Sequence, residues 1–134
     1  MVETVHRPYP APEPNVETQA FWDAAAQGKL LIGKCRTTGK HFYYPRAVSP
    51  FAVGGAVDFV EAKGTGTLYS YSVMRRGENT PYVLAYVTLD EGPAVLTNIV
   101  DCDADALRIG DRMRVTFLET KGPPVPGFTP DPAA

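Results

Sequence analysis

Between Ala62 and Glu119 the chain reads as short apolar-polar segments divided by turns, and this pattern constrains the fold more than any other feature. The region is entered through E-A-K-G-T-G-T-L-Y-S-Y-S-V and ends on R-I-G-D-R-M-R-V-T-F-L-E. Thr67 to Arg76 alternates and is rich in Thr, Tyr and Val, which suit a pleated, half-buried surface. Its length suits a strand that bends to serve both sides of a barrel, with a bulge expected at Gly64 or Gly66. Tyr82 to Leu89 is almost wholly apolar, so both of its faces are expected to be covered. Asp90-Glu91-Gly92 is a hairpin turn, and Ala94 to Val100 is the returning strand. Asp101 to Leu107 reads as a short helical turn with Asp103 as its N-cap. In Arg112 to Leu118, Met113, Val115 and Phe117 alternate with Arg112, Arg114 and Thr116. Three meandering strands, a helical connection and a further strand match a five-stranded OB-like barrel, provided one strand comes from elsewhere in the chain.

The segments on either side are different. Residues 1–14 carry Pro8, Pro10, Pro12 and Pro14, which exclude helix and central strand and leave an extended arm. Residues 121–134 form a second proline-rich stretch, a tail whose Val125 and Phe128 are expected to pack on the barrel. Asn15 is a good N-cap. From Val16, with Glu17 in the first turn, Phe21, Ala24 and Ala25 make one apolar helix face, and Gly28 supplies the stop. Such a helix of about three turns must dock to be stable. Leu30–Ile32 and His41–Tyr44, joined by a turn at Thr37–Lys40, make a hairpin, and Val57–Ala62 is another strand. The fold expected is therefore mostly β. It has an arm (1–14), a helix with ribbon-like β-hairpins (15–62), an antiparallel barrel (63–120) and a tail (121–134).

Paired hairpins with a cysteine before the first turn suggest a zinc ribbon. Structural zinc is closed and tetrahedral, which requires four good ligands. The two turn positions read Cys35-Arg36-Thr37-Thr38 and Ser49-Pro50-Phe51-Ala52. Only Cys35 is a good ligand, His41 is a conceivable second, and Thr38, Ser49 and Ala52 do not complete the set. No zinc and no other cofactor is expected. The hairpin must hold by packing of Phe42, Tyr43, Tyr44 and Phe51.

Charge and cysteine content narrow the function. A net charge of −2 with no basic block argues against nucleic-acid binding driven by electrostatics. Cys35 and Cys102 are too few for a disulfide framework and fit reduced thiols in a cytoplasmic protein. The first residues contain no apolar signal region, and no run approaches the ~20 apolar residues of a membrane span.

Several stretches resemble a known family. They are F-W-D-A-A-A-Q-G-K-L-L-I-G-K-C at 21–35, P-R-A-V-S-P at 45–50 and E-A-K-G-T-G-T-L-Y-S-Y-S-V at 61–73. P-Y-V-L-A-Y-V-T-L-D-E-G at 81–92 and D-A-L-R-I-G-D-R-M-R-V-T-F at 105–117 complete the set. The family comprises bacterial and archaeal proteins with an N-terminal helix, a rubredoxin-like zinc ribbon and a C-terminal OB-fold. Long classed as a domain of unknown function, it is described as acyl-CoA-associated. The resemblance implies a partner of thiolases, thiolase-like lipid-transfer proteins or enoyl-CoA hydratases. Of the family's four zinc ligands, this sequence keeps Cys35 alone.

Four functions follow as expectations. The first is a non-catalytic subunit of an acyl-CoA-processing complex, docking through Phe21, Trp22, Tyr43 and Tyr44, since aromatics anchor interfaces. The second is a stand-alone acyl-CoA or acyl-chain binding module, with Arg46, Lys63, Arg75 and Arg76 on the CoA phosphates. The third is single-strand nucleic-acid binding by stacking on Tyr69, Tyr71, Tyr82 and Tyr86, although packing inside the barrel is expected for most of these rings. The fourth is an enzyme using Cys35 and His41 as nucleophile and base, for which no orienting third group is evident. Cys102 is no better a nucleophile, because Asp101 and Asp103 raise its pKa. A homo-oligomer is compatible with all four.

Overall fold

The computed structural model describes residues 2–132. Met1, Ala133 and Ala134, the outermost residues of the arm and tail, lie outside the described residues. Among these described residues one α-helix, α1 (Gln19–Ala26), is followed by eight strands. These are β1 (Leu31–Cys35), β2 (His41–Phe42), β3 (Val57–Glu61), β4 (Thr65–Met74), β5 (Tyr82–Leu89), β6 (Ala94–Ile99), β7 (Arg112–Leu118) and β8 (Val125–Pro130). The first three strands form a small sheet in the order β2-β1-β3, and the other five close into a barrel in the order β4-β5-β6-β8-β7.

Helix α1 spans eight residues rather than three turns, because the first turn is used for capping. Asn15 Oδ1 accepts the Thr18 N–H at 2.9 Å and Thr18 Oγ1 accepts the Asn15 N–H at 2.9 Å, a reciprocal cap that holds residues 16–18 as a turn. At the other end Gly28 takes φ +77°, and Lys29 donates to the Ala24 carbonyl at 2.9 Å, as a glycine stop requires. Phe21 and Ala25 face inward.

Strand β2 ends at Phe42, short of the expected Tyr44. Phe42 lies over Gly33, where any Cβ would overlap its ring, so this glycine is fixed by close approach. The Tyr43 and Tyr44 rings leave the hairpin and turn toward α1. The turn between the hairpin strands carries Gly39 at φ +74°.

In the barrel, β4 pairs with β7 through Thr65–Thr67 and with β5 from Gly66 onward, so it serves both sides as its length implied. The bulge falls at Tyr69, between Leu68 and Ser70, and not at Gly64 or Gly66. Gly66 instead permits a close crossing, since a Cβ there would overlap the Thr88 carbonyl. Asp103 caps the 3-10 turn Ala104–Ala106, accepting the Asp105 N–H at 3.0 Å.

The fifth strand is β8, drawn from the proline-rich tail, so the barrel runs beyond the 63–120 expected for it. It pairs antiparallel with β7 from Leu118↔Val125 to Met113↔Pro130, and meets β6 in parallel at Ile99↔Phe128. Phe128 is fully buried with Leu68, Val83, Val87, Ile99 and Met113. Phe21, Leu30, Ile32 and Ala62 belong to the same cluster, so helix, ribbon and barrel share one core.

The barrel's β5 corrects a second expectation. Its residues alternate between buried and exposed, with Leu84 and Tyr86 on the outside. Tyr86 lies opposite Ser70 and Leu96, and Leu84 opposite Ser72 and Asn98. These six residues make a continuous outer patch without a charge. Tyr69 at the bulge is also exposed.

The arm is tied down. Thr4 and Val5 donate to the carbonyls of Cys102 and Pro81 at 2.9 Å each, and the Val2 N–H reaches Asp103 Oδ1 at 2.8 Å. His6 pairs with Asp101 at 2.6 Å, and the Arg7 guanidinium stacks 4.0 Å above the Tyr82 ring.

Candidate functional site

The four aromatic residues expected at an interface converge. Phe21 is the hub, meeting Trp22 edge-on at 4.7 Å, Tyr43 at 5.9 Å and Tyr44 at 5.5 Å. Tyr43 and Tyr44 stack at 4.0 Å. The helix supplies Phe21 and Trp22, and the segment after β2 supplies the tyrosines. They line a groove of about 570 Å³, with Pro12 and Glu13 of the arm on one side and Arg46 on another. Edge-to-face and offset arrangements of this kind are favourable beyond the area they bury.

The four are not equally available. Phe21 is 2% exposed and acts as the groove's foundation, whereas Tyr44 is 54% exposed. Trp22 packs partly against the core and also lines the groove. The Tyr43 hydroxyl is enclosed and hydrogen-bonds to nothing among the described residues. Burial pushes its pKa up, and the adjacent Tyr44 hydroxyl adds to this without reaching hydrogen-bond geometry.

The four candidate phosphate ligands do not converge. Arg46 is at the groove, 5.9 Å from the Phe42 ring centroid. Arg75 is paired with Asp105 at 2.8 Å. Arg76 is exposed in the β4–β5 loop. Lys63 follows β3, and its backbone N–H donates to Glu91 at 2.8 Å. Of the four, only Arg46 shares a cavity with the aromatic rings.

Neither cysteine is arranged for catalysis. Lys34 is the register partner of His41, so His41 shares a face with Lys34, and Cys35 projects from the opposite one. Cys35 is fully buried, which raises its pKa, but the hydrogen-bonding groups around the sulfur outweigh that effect. The hydroxyls of Ser49 and Thr38 beside the sulfur lower its pKa to about 7. The Cys102 thiol goes the other way, to about 11. Burial is the main cause there, and the expected Asp101 and Asp103 charges are lesser ones.

Ser49 and Thr38 are residues that sequence reasoning set aside. Ser49 Oγ accepts the N–H groups of Phe51 at 3.0 Å and Ala52 at 3.3 Å. One thiol, two hydroxyls and a methyl at the four corners do not fit a structural zinc, whose ligands are thiolate, imidazole or carboxylate. No group of three or more metal-ligating side chains is found among the described residues. Phe42 and Phe51 do tie the turns together, edge-on at 6.0 Å, while Tyr43 and Tyr44 serve the groove instead.

The tyrosines proposed to stack on bases are divided. Tyr71 is partly buried, with its hydroxyl donating to the Leu107 carbonyl at 2.9 Å. Tyr82 lies under Arg7. Contrary to the expectation of internal packing, Tyr69 and Tyr86 are exposed, at 67% and 46%. The six residues of the patch around Tyr86 include no cation for a phosphate backbone. No helix among the described residues is long and apolar enough to cross a membrane.

Comparison with known proteins agrees with this architecture. Residues 22–48 match the family described as "ChsH2, rubredoxin-like zinc ribbon domain", and residues 59–118 match "ChsH2, C-terminal OB-fold domain". A DUF35 domain-containing scaffold protein of Methanothermobacter thermautotrophicus is 34% identical over 112 residues, covering 78% of this chain and 84% of the relative. A probable enoyl-CoA hydratase alpha subunit of Thermomonospora curvata is 33% identical over 82% of this chain, which spans 36% of that longer protein. Among solved structures, a chain of the Ltp2-ChsH2(DUF35) aldolase superposes with a TM-score of 0.78 at 32% identity, covering 89% of this chain and 98% of that one.

Proposed function

Since this chain belongs to the DUF35 family of ChsH2-type zinc-ribbon and OB-fold proteins, we propose that it is a non-catalytic accessory subunit of an acyl-CoA-processing complex. The observation that carries this reading is the nature of its relatives. A scaffold protein matches 78% of this chain and a hydratase alpha subunit 82%, and a chain of an aldolase superposes on 89% of it. The partner is accordingly an enzyme of the hydratase, thiolase or lipid-transfer-protein type. The active site and the acyl-CoA belong to that partner. Two unpaired cysteines suit a complex assembled in the cytoplasm.

We assign the docking surface to the helix-and-ribbon unit, residues 15–62, with Trp22, Tyr43 and Tyr44 as contacts and Phe21 beneath them. Half-buried aromatics around a preformed groove are what interface anchors require. The groove also favours a second reading. Arg46 beside exposed aromatic rings suits a CoA phosphate and its base, which would make the isolated chain an acyl-CoA binder without help from Lys63, Arg75 or Arg76.

Affinity capture from the native cell tests the first reading, using the wild-type chain and Trp22→Ala/Tyr44→Ala in parallel. A stoichiometric acyl-CoA enzyme held by the wild type and lost from the variant is the expected result. Loss of two such anchors should weaken binding about 30-fold or more. A chain that elutes alone, as a monomer or as a dimer of itself, would sink the accessory-subunit reading. Calorimetric titration with an acyl-CoA then decides the second.

A further inference from the structure

The ribbon lacks a metal site but retains the construction of one. Its two turns, Cys35–Thr38 and Ser49–Ala52, begin alike. In the second, Ser49 Oγ accepts N–H groups from the residues two and three ahead, Phe51 and Ala52. In the first, the Thr37 and Thr38 N–H groups, again two and three ahead, lie near the Cys35 sulfur and lower its pKa. A glycine at positive φ follows each turn, Gly39 at +74° and Gly54 at +69°. The closures differ: the Gly39 N–H bonds back to the first residue of its turn, at the Cys35 carbonyl, at 2.7 Å, whereas the Gly55 N–H bonds to the last residue of the other, at the Ala52 carbonyl, at 3.0 Å.

The turns also face each other. The Arg36 N–H donates to the Ala56 carbonyl at 3.0 Å, tying the first turn to the chain just beyond the second, and the Ser49 and Thr38 hydroxyls lie near the Cys35 sulfur. The sulfur is fully buried and Ser49 is 8% exposed, so water does not compete for this contact. Phe42 and Phe51 meet edge-on at 6.0 Å between the hairpin and the second turn. A structural zinc would draw these corners together by four bonds, and here the contact is one thiol with hydroxyls around it.

We propose that Cys35 and Ser49 form a metal-free clasp between the two turns, standing where the family's zinc would bridge them, on a backbone that still presents four metal-ready corners. The ribbon is therefore folded without zinc and indifferent to chelators. A metal would be accepted once thiols are restored at Thr38, Ser49 and Ala52.

The test uses the full chain. Wild-type protein should carry no stoichiometric zinc, and its melting temperature should not change with chelator. Ser49→Ala should lower the melting temperature by about 4 °C, the order of one buried polar contact in a domain of this size. Cys35→Ala/Ser49→Ala should lower it by clearly less than the two single variants summed, because the contact is shared. Thr38→Cys/Ser49→Cys/Ala52→Cys should bind one cobalt ion with the visible absorption of a tetrahedral tetrathiolate. If that variant is unfolded alone, zinc should restore its strand circular dichroism. Stoichiometric zinc in the wild type, additive single variants, or a triple variant that neither takes cobalt nor refolds with zinc would each overturn the proposal.

Discussion

Asp90 shows how a single side chain closes the barrel seam. It sits in the β5–β6 turn and receives both terminal nitrogens of Arg112 at 2.9 Å, while the Thr65 hydroxyl donates to the same carboxylate. β4, β7 and the turn are thereby joined at one point. The Arg112 hydrogen bonds, then the one from Thr65, hold its pKa at about 2, against about 3.9 in an unfolded chain. A depressed acid pKa contributes stability above the unfolded value and loses it as pH falls toward the folded one. Melting temperature should therefore fall between about pH 4 and pH 2, and Asp90→Asn should flatten that part of the profile. The pair is partly exposed, so added salt should weaken the effect. If the Asp90→Asn protein were as acid-sensitive as wild type in this window, the sensitivity would belong to other carboxylates.

At the scale of the element, β8 is the strand on which closure depends. Without it β6 and β7 would both be open edges, and an unpaired edge invites association. A chain ending at Thr120 should lose its cooperative melt and aggregate. The meander of β4 to β7 could be read directly in the sequence, because its alternation and turn residues agree with one another. β8 was not, because Pro126 and Pro130 argue against a central strand. The barrel accommodates them because β8 is paired along its length with β7 but meets β6 at a single register point. The bulge at Tyr69 was illegible for a related reason, since a bulge needs an extra residue in the register and not a glycine. The bare face of β5 was hidden too, because a continuous apolar run reads the same whether its outer side is covered by the chain or by a partner. That face predicts its own use. Tyr86→Glu or Leu96→Glu should leave the melt nearly unchanged, since both side chains point outward. Either should weaken partner binding by about tenfold or more if the patch is part of the interface. Capture of the partner by each variant compares the two.

The whole molecule is unified by its core and its arm. Phe21 and Ile32 lie in one cluster with Phe128 and Met113, so ribbon and barrel should melt together. The arm then straps across that unit, from Asp103 near the barrel's 3-10 turn to Pro12 at the groove. Deleting residues 2–10 would expose Cys102 and remove the Arg7–Tyr82 stack, and should lower the melting temperature by several degrees, about 5 °C. It should also make Cys102 accessible to thiol reagents, and a strap that was merely decorative would change neither reading. The groove itself was half legible: Phe21, Trp22, Tyr43 and Tyr44 could be named from residue type, but not the turn of the chain after Phe42 that gathers them. That gathering leaves the sole tryptophan of the chain at the rim of the proposed docking surface, with no second indole anywhere to dilute its signal. Ultraviolet emission excited at the red edge of the protein band thus comes from this groove alone. Docking that dries the ring should shift the emission to the blue, and a polar occupant should quench it, so unlabelled protein reports occupancy of the groove in real time.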